Sequence, residues 1–108
     1  MIKALNSWAS DWSARDVDAY LGHYSADFKP DGGLSLGEWQ AQRRVRLGKA
    51  QSISVAVLNP EVTKLDAQHV SVTFTQDYRS ETINDKVTKV IELVQAGGSW
   101  KITRESLR

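Results

Sequence analysis

The chain has 108 residues, which is the size of one ordinary domain, and we expect residues 1–108 to fold as one unit. Hydrophobic residues make up 41% and charged residues 25% of the sequence, which excludes intrinsic disorder and an extended coiled coil. The 14 basic and 13 acidic residues give a net charge of +1, so the balance indicates no nucleic acid partner and no anionic lipid surface. There are no cysteines, which excludes disulfides, thiolate catalysis and cysteine-bound metals.

The N-terminal residues lack the apolar core of a signal peptide, because Asn6, Ser7 and Asp11 interrupt the hydrophobic residues there. The sequence contains no run that approaches the roughly 20 apolar residues of a membrane helix, so we expect no membrane insertion. Two compartments are compatible with this pattern: the cytoplasm, or the periplasm if the chain is a domain of a longer exported protein.

Two helices are predicted in the first 28 residues. The first is indicated by apolar residues at the spacing of one helical face, which are Ile2, Leu5, Ala9 and Trp12. The second is predicted to begin at Ser13, because Asp16 follows three residues later in the pattern of a capping box. Its apolar stripe consists of Val17, Tyr20, Leu21, Tyr24 and Phe28. The turn-forming residues 29–33 should end it.

A third helix is predicted from a complete capping box. Ser35 and Glu38 stand at its two positions, and Leu34 and Trp39 stand at the positions of a hydrophobic staple. The helix should run to about Leu47 and stop at Gly48.

After residue 50 the apolar pattern changes to a period of two, which predicts β-strands. The expected strands are residues 53–57, ended by Asn59-Pro60, a short candidate at 62–65, the clearest strand at 70–79, a central strand at 86–95, and a last strand that begins at Trp100. Residues 96–99 form the hairpin turn before the last strand. The order predicts an α+β fold in which three N-terminal helices pack on one face of an antiparallel sheet of about four strands.

Ten apolar residues are predicted to be largely buried in the core of this fold. They are Leu5, Trp12, Val17, Leu21, Phe28, Val55, Val72, Phe74, Ile91 and Ile102.

Several stretches together carry a family resemblance. In chain order they are Trp12-Ser13-x-x-Asp16-x-x-x-Tyr20-Leu21-x-x-Tyr24-Ser25-x-x-Phe28-x-Pro30, then Trp39, Arg43, Arg46, Ile53-x-Val55 and Asn59, then Val72-x-Phe74-x-Gln76-x-Tyr78-x-Ser80, Lys89 and Gly98-x-Trp100-x-Ile102-x-x-Glu105. This pattern resembles the nuclear transport factor 2-like (NTF2-like, SnoaL-like) superfamily. It is most similar to the small C-terminal domain of bacterial cell-envelope proteins, including some L,D-transpeptidases. The resemblance implies a cone, in which a curved sheet wraps around three helices and leaves a pocket at the wide end. It implies no single function, because the superfamily includes enzymes, transport factors and association modules.

Arg43 interrupts an otherwise apolar helical face that also contains Leu36, Trp39 and Leu47. A guanidinium in such a place has up to five donors to satisfy. One explanation is a structural role, either as an ion pair or with the stem packed and the head in solvent. The other is a pocket arginine that binds an anion such as a carboxylate.

Gln76, Tyr78 and Lys89 likewise occupy strand positions where the pattern predicts apolar residues. We therefore predict a pocket between the second helix, the third helix and the concave face of the sheet, for a small anionic ligand. Its predicted lining is Tyr24, Trp39, Arg43, Gln76, Tyr78 and Lys89. For the tyrosines, a plain core position is the alternative. If Glu105 and Glu92 neutralise both cations, the site is structural instead.

The sequence indicates no metal site and no cofactor, because His23 and His69 are far apart and have no carboxylate at ligand spacing. No catalytic residue is predicted either, because Asp27, Asp31 and Asp77 do not fall on an inward face.

The favoured function is therefore a non-catalytic ligand-binding or protein-association module. A small-molecule isomerase, cyclase or dehydratase is the alternative, and a structural dimerisation domain is a third. A homodimer is expected through the outer face of the sheet, at Ser71, Thr73, Thr75, Val90 and Val94.

Overall fold

The computed structural model describes residues 2–108, with the backbone alone at residue 31. The helices are α1 (Ile2–Ser13), α2 (Val17–Leu21) and α3 (Leu36–Lys49), with one 3₁₀ turn at Asp31–Gly33. The strands are β1 (Ile53–Lys64), β2 (His69–Ser80), β3 (Asn84–Ala96) and β4 (Ser99–Leu107). They form one antiparallel sheet in the order β1-β2-β3-β4. The predicted α+β fold, with N-terminal helices on a curved antiparallel sheet, is confirmed.

The third helix begins as predicted. The Ser35 hydroxyl accepts a hydrogen bond from the Glu38 backbone N–H at 3.2 Å, and the Glu38 carboxylate accepts one from the Ser35 N–H at 3.2 Å. These two bonds satisfy N–H groups that a helix start leaves without intrahelical partners. The helix continues to Lys49, slightly beyond the predicted end near Leu47.

The second helix is shorter than predicted and begins at a different cap. Asp16, not Ser13, is the N-cap, and its carboxylate accepts from the Ala19 N–H at 3.2 Å. Ser13 instead ends α1, where its hydroxyl donates to the Ala9 carbonyl at 2.8 Å. The helix stops at Leu21 because the chain after it pairs with β4: the Ile102 N–H donates to the His23 carbonyl at 2.8 Å. The prediction that the helix reaches Phe28 is therefore wrong.

The first strand is continuous through the Asn59-Pro60 pair that was predicted to end it. The register against β2 shifts between Leu58 and Glu61, where β1 has one residue more than its partner. Asn59 takes a positive φ of 52°, a conformation that asparagine tolerates better than most residues, and this allows the bulge. The predicted separate strands at 53–57 and 62–65 are one strand.

The helices and the concave face of the sheet enclose an aromatic core. Nine of the ten predicted core residues are buried, and Val17 is half-buried against them. Trp8 and Tyr20 are 0% exposed and belong to the centre of the core, although neither was among the ten predicted core residues. None of the helices in the described part of the chain has both the length and the apolarity needed to cross a membrane.

Candidate functional site

A cavity of about 570 Å³ opens between the C-terminal half of α3, the β2–β3 hairpin and the end of α1. We call it the main cavity. Trp12 and Tyr78 form an aromatic wall of this cavity, with their ring centroids 5.4 Å apart. Its volume lies within the usual range for small-molecule sites, about 300–1,000 Å³.

A smaller side cavity of about 330 Å³ adjoins it, between the first half of α3 and the end of β4. Phe28 and Trp39 line it, and Leu107 lies at its edge with 68% of its surface exposed. Three cations, Arg43, Arg46 and Lys89, line both cavities and therefore lie where the cavities meet.

The structure brings most of the predicted pocket residues together. Arg43, Gln76, Tyr78 and Lys89 line the main cavity, and Trp39 lines the side cavity. Tyr24 is buried in the core and is not part of either lining. No residue of α2 lines either cavity, and the wall that was expected from the second helix is formed instead by Trp12 of α1.

Lys89 and Glu105 form a buried ion pair at the junction of the cavities. The ammonium Nζ lies 2.6 Å from Glu105 Oε2, and the two side chains are 9% and 8% exposed. Lys89 Nζ also lies 5.8 Å from the Trp8 ring centroid and 5.5 Å from that of Trp12, within the range of cation–π attraction. Lys89 is thus neutralised by the protein itself.

Glu105 is also the acceptor at the end of a chain of hydroxyl groups. The Tyr24 hydroxyl donates to Glu105 Oε1 at 2.5 Å and lies 3.2 Å from the Tyr20 hydroxyl, while Trp8 Nε1 donates to Tyr24 at 3.1 Å. Burial, and then the Glu105 carboxylate, raise the pKa of Tyr20 to about 12. The same two causes raise the pKa of Tyr24 well above its ordinary value. Both phenols therefore stay neutral and act as hydrogen-bond groups.

The inward position of Glu105 depends on a bulge. The register of β4 against β3 shifts between Glu92 and Leu93, which pair with Arg104 and Ile102 respectively. The extra residue on β4, Thr103, reverses the alternation of side chains, so Glu105 and Ile102 both face the core. Strict alternation from Ile102 would place Arg104 inside. The bulge explains how the chain buries a carboxylate here, although the sequence pattern predicted no inward-facing acidic residue among its aspartates.

Glu92 does not reach the cavities. It lies on the outer face of the sheet, with Oε2 3.7 Å from Arg104 Nε. Its expected role as a partner for Arg43 or Lys89 is wrong, because alternate residues of β3 face opposite sides and Lys89 faces the core.

Arg43 has a different environment from Lys89. It is half-buried, and its guanidinium carbon lies 5.3 Å from the centroid of the Trp39 ring. Among the described side chains, no carboxylate forms an ion pair with it. The next residue, Arg44, points elsewhere and pairs with Asp18 at 3.0 Å on the exposed surface. The guanidinium of Arg43 therefore lies over the Trp39 ring at the cavity wall, with N–H donors that no described carboxylate accepts.

Gln76 is the second polar group of the cavity wall that lacks a partner. Only 6% of its surface is exposed, and its Oε1 atom has no hydrogen-bond partner among the described residues. A buried amide carbonyl without a donor is uncommon in folded proteins and destabilises them.

The rim of the main cavity is fixed by Glu81 in the β2–β3 hairpin. Its carboxylate accepts from the backbone N–H groups of Gln51 and Ser52 at 3.0 and 3.1 Å. These bonds lower the pKa of Glu81 and tie the hairpin to the connection between α3 and β1. Glu81 is therefore held as a carboxylate by backbone donors, and its negative charge, like that of Asp85, lies on the hairpin side of the cavity.

The histidines lie away from both cavities. His23 Nε2 lies 2.7 Å from Asp11 Oδ2, and His69 Nδ1 lies 2.7 Å from Asp66 Oδ1 in a hairpin turn. Within residues 2–108 as described, no three histidine or carboxylate side chains are grouped as metal ligands.

The family follows from a match over almost the whole sequence. Residues 1–106 match the model of the Cds6 C-terminal NTF2-like domain. The chain belongs to this family. The fold is that of an NTF2-like domain, as the resemblance implied. No curated protein matches the chain.

Solved structures share the fold at low sequence identity. Bd1075 of Bdellovibrio bacteriovorus matches with a TM-score of 0.85 at 25% identity, over 95% of this chain and 37% of that one. The K307A variant of Pgp2, a helical cell shape determining protein of Campylobacter jejuni, matches with a TM-score of 0.86 at 16% identity, over 95% and 38%. An NTF2-like family protein from Streptomyces avermitilis, named as a candidate dehydratase, matches with a TM-score of 0.78 at 15% identity, over 94% and 87%. The chain thus spans less than two fifths of the length of the first two proteins.

Proposed function

We propose that this NTF2-like domain is a non-catalytic binding module that holds a small carboxylate-bearing molecule in the main cavity. The observation that carries the proposal is the environment of Arg43, which lines the cavity, lies over the Trp39 ring and has no ion-pair partner among the described side chains. The contact with Trp39 restrains the side chain at the cavity wall, and a guanidinium can bind a carboxylate through two parallel hydrogen bonds.

The charge around the cavity supports an anionic ligand. Arg46 and Lys49, also from α3, line the main cavity beside Arg43. Lys89 is compensated by Glu105, and the two carboxylates that line the cavity, Glu81 and Asp85, belong to the hairpin on its other side. The remaining field is positive on the α3 side, which attracts anions although the whole chain carries a net charge of only +1.

The hydrogen bonds of the Glu105 carboxylate favour binding over catalysis. An isomerase or dehydratase of this superfamily needs a side chain that can accept or release a proton at the ligand. Glu105 is a buried carboxylate at the cavities, but Oε1 accepts from Tyr24 and Oε2 from Lys89. Both oxygens are engaged by the protein, so the carboxylate is a structural acceptor and a poor proton carrier.

A setting in the bacterial cell envelope is part of the proposal. Pgp2, which shares the fold, is named for determining helical cell shape, and the matched domain is a part of that protein. We infer that residues 1–108 likewise act as one recognition module beside another activity. The sequence resemblance to the small C-terminal domain of some L,D-transpeptidases supports the same setting.

The test is to measure the binding of small carboxylates to the purified chain, using ligand-detected NMR and calorimetry. Arg43→Gln should weaken the tightest carboxylate by roughly 10–100-fold, because it removes a charge-assisted contact. The melting temperature should change little, because this arginine has no protein carboxylate to lose.

The matched control is Arg44→Gln, which changes the neighbouring arginine of the same helix. Arg44 pairs with Asp18 on the surface, and exposed pairs of this kind contribute little to stability. Carboxylate affinity should be unchanged in this variant. Equal loss of affinity in both variants, or loss in neither, would overturn the assignment of Arg43 as the anion contact.

A further inference from the structure

We propose that the ligand of the main cavity carries, besides its carboxylate, an N–H or O–H donor that pairs with the side-chain carbonyl of Gln76. This inference rests on the proposed function and names the chemistry of the same ligand. Its basis is the Oε1 atom of Gln76, which is buried and has no partner among the described residues.

The position of Gln76 places this acceptor at the ligand. The residue lines the main cavity together with Arg43 and Tyr78, and it continues the buried face of β2 after Val72 and Phe74. The Oε1 atom is buried in the unliganded protein, and rotation about the final side-chain torsion, which is broad for glutamine, would turn the carbonyl toward the cavity. A molecule bound to Arg43 in the same cavity is therefore within the reach of the carbonyl.

Stability alone does not explain a glutamine here. The inward positions on either side are Phe74 and Tyr78, and an apolar side chain of similar size at position 76 would leave no unpaired polar atom. Burying an amide without a full set of partners weakens the unliganded fold. A group that destabilises the empty protein and is satisfied by a bound molecule is typical of a binding site.

The two polar contacts define a ligand class. A carboxylate meets Arg43, a hydrogen-bond donor meets Gln76, and the rings of Trp12 and Tyr78 offer apolar surface between the polar contacts. Acylated amino acids and hydroxy acids have this combination, whereas simple dicarboxylates lack the donor.

A matched set of three probes separates the two contacts. Hippurate (N-benzoylglycine) has the carboxylate and an amide N–H. Its ester isostere, O-benzoylglycolate, has the same shape and the carboxylate but no donor. Methyl hippurate has the donor but no carboxylate. We expect hippurate to bind about tenfold more tightly than the ester isostere, which corresponds to about 1.4 kcal/mol. Methyl hippurate should bind most weakly of the three.

The variant that tests the role of Gln76 is Gln76→Leu, with Gln76→Met as a second apolar replacement. In either variant the preference for hippurate over the ester should disappear. The melting temperature of the unliganded protein should rise by roughly 3–8 °C, because the unpaired amide is gone. A purely structural glutamine predicts the opposite, which is a fall in melting temperature with the ligand preference unchanged.

The outcomes distinguish this inference from the proposed function. If hippurate and its ester bind equally and both depend on Arg43, the carboxylate site is retained and the donor contact is overturned. If the three probes bind equally well, or none of them binds at millimolar concentration, the proposed function fails and this inference fails with it. The probe comparison uses the unmodified chain, so it decides the question even if the variants do not fold.

Discussion

Breaking the Lys89–Glu105 pair should destabilise the fold strongly, whereas replacing both partners should not. The two charged atoms lie 2.6 Å apart, and their side chains are 9% and 8% exposed, so water cannot compensate a lone charge there. Removing one partner of a buried ion pair destabilises a protein by about 3–5 kcal/mol. Glu105 keeps its hydrogen bond from Tyr24 in Lys89→Met, so we expect the lower end, about 3 kcal/mol.

The double variant Lys89→Met with Glu105→Gln should recover most of this loss. Glutamine still accepts the Tyr24 hydrogen bond, and no charge remains at the site. The methionine sulfur would lie between the rings of Trp8 and Trp12, an arrangement that is favourable for thioethers. We expect the double variant to lie within about 1 kcal/mol of the unmodified protein.

Urea unfolding at neutral pH, followed by tryptophan fluorescence and circular dichroism, measures these differences. A loss of 3 kcal/mol should lower the melting temperature of a chain of this size by roughly 12 °C. Arg104→Met is the control, because it removes the exposed pair with Glu92 and should cost less than about 0.5 kcal/mol. If Lys89→Met is as stable as the unmodified chain, or if the double variant is no more stable than the single one, the cost of leaving one buried charge without its partner does not govern stability here.

The remaining predictions concern stability and assembly. Phe74→Ala should cost about 3–5 kcal/mol in urea unfolding because Phe74 is buried in the core, whereas Val62→Ala, at a largely exposed position, should cost far less. Ser35→Ala removes the N-cap of α3 and should cost about 1 kcal/mol, against almost nothing for the exposed Ser54→Ala. Folding raises the pKa of Tyr20 from 10.0 to about 12, so the stability that its neutral phenol contributes is complete below pH 10 and is lost as the pH rises toward 12. The free energy of unfolding should therefore decline by roughly 2–3 kcal/mol over this range, and Tyr20→Phe should reduce the decline. Sedimentation should show a homodimer formed through the outer face of the sheet, and a species of 12.1 kDa alone would contradict it.

The sequence predicted those parts of the fold that depend on local pattern. The capping box at Ser35 and the alternation along β2 are local, and both are confirmed. The end of α2 was missed because it is decided by backbone hydrogen bonds from residues near His23 to Ile102, which is remote in sequence. A stripe of apolar residues continues beyond Leu21, so the pattern alone could not show that the helix stops.

The candidate site was harder to predict because it depends on β-bulges. A bulge adds one residue to one strand, and it reverses which side chains face inward beyond that point. Asn59-Pro60 marks one bulge in the sequence, although it was interpreted as a strand end. The bulge at Thr103 has no comparable marker, and it is what brings Glu105 to Lys89. The pocket residues on strands before that bulge could be predicted by parity, whereas the buried carboxylate required the structure.

Lys89 and Arg43 differ in their partners at the junction of the cavities, and this difference is the reason to expect binding and not catalysis. Lys89 and Glu105 neutralise each other inside an aromatic enclosure, so this pair shapes the floor of the site and is not free to exchange protons with a ligand. Arg43 lies at the same junction, yet its recorded contact is the cation–π contact with Trp39, which leaves the guanidinium donors free of protein carboxylates among the described side chains. A site with one closed charge pair and cations left open on α3 can select an anion by its charge. The buried carboxylate of the site, Glu105, is already engaged by Tyr24 and Lys89, so we expect the anion to be bound and not converted.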